Sequence, residues 1–380
     1  MDKVIEKARS VKFDGLGRAL VAAVSTTVIG CSVLTGCGSD SNLNGVSPAP
    51  TGPVNCGGKN DLTAEGSTAQ QNAVALFNKE WAQLCPGKNL AYNPTGSGAG
   101  REQFIAGHVD FAGSDSPLSK NQIDPAAKRC GGNPAWQLPM VFGPVAVAYH
   151  LDGVKTLVVN ADVLAKIFSG GISNWNDPAI GALNKGVTLP DAKISPIYRS
   201  DSSGTTDNFQ KYLSAAAPGS WTKGAGTEFQ GGVGEGAQKS AGIIQAVQAT
   251  PGAIGYVEKG FADQGGVPYV QIDNGSGAAA LNDASAGKAI NAAKFAGSGN
   301  DLELDLKSLY STKEPGAYPL VLATYEIVCS KGYDAATGAA VKSFLTVSAS
   351  NGQTGLSAAG YIALPDQFKQ RLLTSINAIQ

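Results

Sequence analysis

The chain has 380 residues, a net charge of −1 and charged side chains at only 16% of positions. That length supports two domains, each with its own core, and the lack of a basic stripe excludes nucleic acid as a partner. Two histidines, His108 and His150, exclude a His-rich metal site, and neither a phosphate-loop motif nor a G-x-S-x-G nucleophile elbow occurs, so no catalytic residue, metal or cofactor is expected.

Residues 1–18 carry Lys3, Lys7, Arg9, Lys12 and Arg18, and Ala19–Gly30 is apolar but too short for a comfortable membrane span. Leu34-Thr-Gly-Cys37 follows. A charged start, a short apolar stretch and small residues before the cut make residues 1–36 a secretory leader. The tetrad resembles a bacterial lipobox, which implies cleavage before Cys37 and lipid on its sulfur. Residues 37–55 are rich in Ser, Asn, Gly and Pro and read as a flexible tether, with a reach of roughly 25 Å. Beyond the leader and Cys37, the cysteines are Cys56, Cys85, Cys130 and Cys329. An even count in an exported chain implies disulfides. Three connectivities are possible; Cys85–Cys130 with Cys56–Cys329 is favoured.

Asp61–Thr68 leads into Ala69–Leu84, where Val74, Phe77, Trp81 and Leu84 recur on one face of a helix. Ser67 and Thr68 stand at its start. Asn89–Gly100 repeats the design. Alternation at Leu90 and Tyr92 predicts a strand, and Gly96-Ser-Gly-Ala-Gly100 predicts a loop that a ligand can approach closely. Arg101–Ala106 predicts a helix, with His108 just beyond it as a surface or capping residue. Val109–Pro117 predicts a short strand ending at Ser114-Asp115. Lys193–Tyr198 predicts another strand, Arg199-Ser-Asp-Ser-Ser-Gly-Thr205 a polar loop, and Thr206–Leu213 a helix with Phe209, Tyr212 and Leu213 inward.

One such loop alone is an ordinary helix cap. Repeated, the loops gather hydroxyls, free backbone N–H groups and a guanidinium at the positive ends of helices. That inventory suits a desolvated tetrahedral oxyanion, neutralised mostly by hydrogen bonds and dipoles.

From about Asp61 to its end, the chain resembles the substrate-binding lipoproteins of bacterial phosphate ABC transporters, in their actinobacterial-like branch. The motifs that carry the likeness are Gly66-Ser-Thr68, Thr95-Gly-Ser-Gly-Ala-Gly100, Asp110-Phe-Ala-Gly-Ser-Asp115, Ile172-Ser-Asn-Trp-Asn-Asp177, Arg199–Thr205 and Pro251-Gly-Ala-Ile-Gly-Tyr256. The resemblance implies an α/β, two-lobed periplasmic-binding-protein (type II, Venus-flytrap) fold with two interdomain crossovers. It places lobe I at 56–149 plus 319–380 and lobe II at 150–318, with apolar crossovers at Leu138–Tyr149 and Ala317–Val328. It implies phosphate binding by Thr68, Ala69, Ser97, Asp115, Arg199, Ser203, Gly204 and Thr205, and handover to permease subunits by a protein held at the extracytoplasmic face of the cell membrane through its lipid alone. Two positions depart from the family pattern. Ala69 stands where an aromatic is common, so its backbone N–H is what it can offer. Ser202 replaces a glycine and would be strained if that position needed a positive φ. Asp201 reads as orienting Arg199.

Asp115 is a carboxylate in an anion-seeking site. It favours an anion that brings its own proton, which phosphate does at neutral pH and sulfate does not. The alternatives are a binder of another oxyanion such as sulfate or molybdate, a surface lipoprotein whose loops are plain turns, and a secreted phosphatase. The last is disfavoured by the shortage of histidines.

Overall fold

The computed structural model describes residues 54–380, so the expected leader, Cys37 and nearly all of the tether lie outside the described residues. Eight strands form the main sheet. In chain order they are β1 (Asp61–Gly66), β2 (Asn89–Pro94), β3 (Phe111–Ser114), β4 (Ala135–Tyr149), β5 (Ser195–Arg199), β6 (Glu235–Ala237), β7 (Ala253–Glu258) and β8 (Val321–Cys329). Across the sheet the order is β2-β1-β3-β8-β4-β7-β5-β6. β2, β1 and β3 run parallel to one another, as do β7, β5 and β6. Between these two parallel groups, β8 and β4 are antiparallel to their neighbours.

β4 is the organising element. It has 15 residues, so it extends roughly 50 Å at 3.3 Å per residue. Residues Ala135–Pro144 pair with β8 and Val145–Tyr149 pair with β7. From Gln137 onward the strand is buried, as is all of β8, which is why both crossovers read as near-continuous apolar runs and not as alternation. Proline has no N–H to give a ladder, and the two prolines of β4 sit where the ladder breaks. Pro139 faces Tyr325 at a register shift, and Pro144 is the last partner of β8 before the strand changes neighbour.

Helices pack on both parallel groups. α1 (Gln71–Leu84), α2 (Ser97–Ile105), α3 (Gly204–Ala216), α4 (Lys239–Ala249) and α5 (Ala335–Ala349) matter most for the site. Val74, Phe77 and Trp81 of α1 are buried as their spacing predicts. Trp81 meets Phe344 of α5 edge-on at 5.4 Å and donates its indole N–H to Ser343 Oγ at 2.9 Å. Leu84 departs from the prediction. It is the last residue of α1, where the apolar stripe runs past the core, and it is 38% exposed. Phe209 of α3 is buried and stacks on Tyr256 of β7 at 4.5 Å, a burial that contributes about 1.5–3 kcal/mol. That contact seats the start of α3 against the carboxyl ends of β5 and β7.

The disulfides differ from the favoured pairing. Cys56 is bonded to Cys85 and Cys130 to Cys329, with Cα–Cα distances of 5.4 and 5.3 Å. The segment after the tether passes the C-terminal end of α1, so Cys56 meets the residue that caps it. Cys130 caps the helix Lys120–Arg129, which packs beside the end of β8, where Cys329 stands. Cys85–Cys130 and Cys56–Cys329 are therefore not formed.

Candidate functional site

The loops singled out in the sequence converge at the carboxyl ends of parallel strands, the usual ligand position in open α/β sheets. Ser67 and Thr68 follow β1, Ser97 opens α2 after β2, and Asp115 follows β3. Arg199 ends β5, Ser203 caps α3, and Gly204 and Thr205 form its first turn. All of these residues are buried, as is Ala69. Hydrogen bonds tie the two parallel groups across the site. Asn208 Nδ2 donates to the Asp115 carbonyl at 2.7 Å, Gly98 N–H to the Ser202 carbonyl at 3.1 Å, and Ser116 Oγ to Asp207 at 2.6 Å. The hydroxyls of Thr68 and Ser240 meet at 2.7 Å.

Two close approaches explain the glycines. A Cβ at Gly204 would lie 2.5 Å from both Ser97 Oγ and Asp115 Cβ. A Cβ at Gly98 would lie 2.0 Å from Ser202 Oγ. The second approach also answers the question about Ser202. Among the described residues Lys239 alone, of the non-glycines, has a positive φ, at 63°, so Ser202 bears none of the strain its sequence position suggested. Its hydroxyl donates to Thr227 Oγ1 at 2.8 Å and fills the space that Gly98 leaves open.

Asp115 is the electrostatic centre. Its Oδ1 accepts from Ser67 Oγ at 2.6 Å and Thr324 Oγ1 at 2.7 Å, and its Oδ2 accepts from Ser97 Oγ at 3.1 Å. A carboxylate has about four acceptor positions, so Oδ2 keeps one. Asp115 is 2% exposed. Burial raises its pKa to about 6; the three hydroxyls oppose the rise and the charge of Glu258 adds to it.

Arg199 is held in a two-point pair with Asp201, through Nε at 2.7 Å and through Nη2. Burial works against the guanidinium charge, but Asp201 outweighs it and keeps Arg199 above its ordinary range. Burial likewise lifts Asp201, and Arg199 wins again, holding it below the carboxylate norm. Asp201 therefore orients Arg199, as expected, and also accepts from the Lys239 backbone N–H at 2.9 Å. The strained Lys239 backbone is thus tied to the site's ion pair.

Some expected donors are turned inward. Ala69 N–H donates to Ser67 Oγ at 3.0 Å, and Ser203 Oγ accepts from Thr206 N–H at 3.2 Å as a helix cap. Thr205 Oγ1 donates to Glu258 Oε1. The predicted glycine loop is shorter than read, because α2 begins at Ser97 and takes Gly98 and Gly100 into its first turns. Sequence reasoning placed Ser67 only at the start of a helix, and missed Thr324, Ser240, Glu258 and Arg101. Arg101 is a second buried guanidinium, bonded to Ser114 Oγ at 3.0 Å and Gln122 at 3.0 Å, and burial lowers its pKa. The available signal was a polar residue in an otherwise apolar strand, as at Thr324 within β8 and Glu258 at the end of β7; Ser240 offers none. A cavity of about 520 Å³ adjoins the site, with Asp115, Asn208, Lys211, Tyr310 and Tyr325 on its wall.

Behind Asp115, β8 carries Glu326, paired in register with Gly113. Neither carboxyl oxygen has a hydrogen bond of good geometry among the described residues. Burial drives its pKa up to about 8, with the Gln70 side chain opposing and Asp115 adding. A folded-state value above the unfolded one contributes stability that is complete below the unfolded pKa and is lost as pH rises through the folded one. Here the loss runs from about 4.5 to about 8. Glu326→Gln is expected to be more stable than the parent at alkaline pH by a few kcal/mol, on the order of the cost of an unpaired buried charge, and to match it at acid pH. Urea unfolding at both extremes checks this; an equal difference at the two would count against it.

A family profile for a PBP superfamily domain matches residues 50–351. The chain is 50% identical over 364 residues to the phosphate-binding protein PstS 3 of Mycobacterium tuberculosis, covering 94% of this chain and 98% of that one. Among solved structures it is similar to a high-affinity periplasmic phosphate-binding protein bound with phosphate, at a TM-score of 0.67 and 23% identity, over 83% of this chain and 93% of that one. It is also similar to a putative phosphate ABC transporter substrate-binding protein with bound phosphate from Clostridium perfringens, at a TM-score of 0.57 and 18% identity, over 80% and 100% of the two chains. At these identities the structural likeness carries the fold alone.

Proposed function

The chain belongs to the phosphate-binding proteins of the PBP superfamily, and from that membership we propose that it binds inorganic phosphate at the Asp115–Arg199 site and delivers it to the permease of a phosphate ABC transporter. The observation that carries the reading is Asp115. It is a buried carboxylate held by three hydroxyls, with one acceptor position left on Oδ2. A protonated phosphate oxygen satisfies that position, whereas a sulfate oxygen is a second acceptor facing it and costs on the order of 2–5 kcal/mol. Equilibrium dialysis with labelled phosphate tests the proposal. Saturable uptake of about one phosphate per chain, undisturbed by excess sulfate, is expected. Equal competition by sulfate would move the reading to oxyanions in general, and no uptake would end it.

We take residues 56–149 plus 319–380 as one lobe and 150–318 as the other, with β4 and the segment entering β8 as the two crossings. Thr68, Ser97 and Asp115 then face Arg199, Ser203, Gly204 and Thr205 from opposite lobes, and phosphate favours the closed form through contacts found only there. X-ray scattering should show compaction on adding phosphate, and identical profiles would sink the hinge. The chain is read as a binder and not a hydrolase. His108 is exposed beside Gln103, and the His150 ring faces the Val247 carbonyl, so neither adjoins a hydroxyl of the site. A chromogenic phosphate ester should not turn over. Two disulfides suit an oxidising compartment outside the cytoplasm. Lipid on Cys37 is the proposed anchor there, and mass spectrometry of the N-terminal peptide checks it.

A further inference from the structure

Lys239 opens α4 with a φ of 63°. The first residue of a helix ordinarily has a helical φ, and in the left-handed region a Cβ crowds the carbonyl that follows it. Glycine escapes that clash, yet a lysine stands here. Its side chain gives no reason for the conformation, being exposed and in no ion pair among the described residues.

The reason lies in the two groups that the turn aims. β6 runs beside β5 as far as Ala237, which pairs with Arg199. Gln238 is still extended, at φ −84° and ψ 135°, so the turn into the helix falls on Lys239. The Lys239 N–H then points back at Asp201 Oδ1, at 2.9 Å, and the Ser240 hydroxyl meets Thr68 Oγ1 at 2.7 Å. The first contact holds the carboxylate that orients Arg199. The second reaches the end of β1, in the other lobe. Asp201 is itself pressed against that lobe, since a Cβ at Gly96 would come 2.9 Å from its Oδ2.

We propose that Lys239 is a positioning residue for closure, whose left-handed backbone is imposed when the lobes close on phosphate and relaxes when they part. The proposal rests on the phosphate-binding and two-lobe readings above. Thr68 and Ser240 meet only in the closed form, and that meeting fixes the turn. Part of the free energy of closure is then held as backbone strain beside the ligand, which weakens binding and speeds release.

Three variants test it, by calorimetry and stopped-flow release with inorganic phosphate and by thermal melting without it. Lys239 is exposed, so these changes leave the core intact. Lys239→Gly is expected to bind phosphate about three- to tenfold more tightly than the parent and to release it more slowly. Strain of this kind corresponds to roughly 5- to 30-fold, and the freedom of glycine in the open form offsets part of it. Lys239→Asn, a residue that tolerates the left-handed region, should shift the same way by less. Lys239→Ala keeps the Cβ and loses the ammonium, so it should not tighten binding. If the strain belongs to both forms, Lys239→Gly raises the melting temperature of the phosphate-free protein and leaves affinity unchanged, and that result overturns the proposal. An equal gain in Lys239→Ala overturns it too, by assigning the effect to the side chain. A parent that binds no phosphate would end the functional reading and this proposal with it.

Discussion

Arg199→Met is expected to weaken phosphate binding roughly 10²- to 10⁴-fold and to destabilise the fold. Two charge-assisted hydrogen bonds at about 1.5–3 kcal/mol each give the first figure. The second effect comes from Asp201. In the parent, burial pushes its carboxylate upward, but Arg199 grips it at two points and holds it below the ordinary range. Methionine fills the volume but leaves that carboxylate without its counter-ion, and breaking such a pair costs about 3–5 kcal/mol. The Lys239 N–H is its remaining partner. The double variant Arg199→Met, Asp201→Asn separates the two losses, because it removes the orphaned charge and recovers stability without recovering affinity. Calorimetric titration with phosphate and urea unfolding of the three proteins check the pattern. A double variant as unstable as the single one would show that Asp201 is not the cause.

Asp115→Asn is expected to collapse the discrimination between phosphate and sulfate. The hydrogen bonds fix how the amide sits. Ser67 and Thr324 both donate to the Oδ1 position, so the amide oxygen belongs there and the NH2 falls at the Oδ2 position, toward Ser97. A group that accepted a ligand proton now donates one. Sulfate gains a partner where it met a repelling acceptor, and the phosphate proton loses its own. The 2–5 kcal/mol attached to that acceptor converts to roughly 30- to several-thousand-fold in relative affinity. The same variant should change the pH response of the fold. Asp115 titrates near 6 in the folded protein and near 3.8 by its ordinary value, so its contribution to stability is complete below the lower value and is lost by the upper. Asparagine removes that loss. Competition titrations of the two anions against parent and variant decide the main point, and an unchanged ratio would refute the role assigned to Asp115.

The elements that position the site were legible wherever one periodicity dominates. Phe77 and Trp81 announce the inner face of α1, and the apolar runs before Tyr149 and Val328 announce the crossing strands. Loops that feed helices show as hydroxyl and glycine clusters, and within them the family resemblance singles out Ser97, Asp115, Arg199 and Thr205. What escaped depends on separations the chain does not print. Thr324 looks like a polar interruption of an apolar strand and Glu258 like a polar strand end, until the sheet order sets them beside Asp115 and Thr205. Ser202 looked strained because a glycine was expected there, and its reason lies on another segment, at Gly98. The disulfide partners were equally invisible, since four cysteines allow three pairings and only packing selects one.

The order of β3, β8 and β4 has a consequence for the chain as it is made. A secreted polypeptide emerges N-terminus first, and β3 and the first ten residues of β4 have no shared neighbour until Val321–Cys329 has been synthesised. The Cys56–Cys85 bond can close early, being 29 residues apart, but Cys130 must wait across 199 residues for Cys329. During that interval its nearest thiol in sequence is Cys85, and a Cys85–Cys130 bond would trap the nascent chain. Early closure of Cys56–Cys85 removes that rival, so the local disulfide protects the distant one.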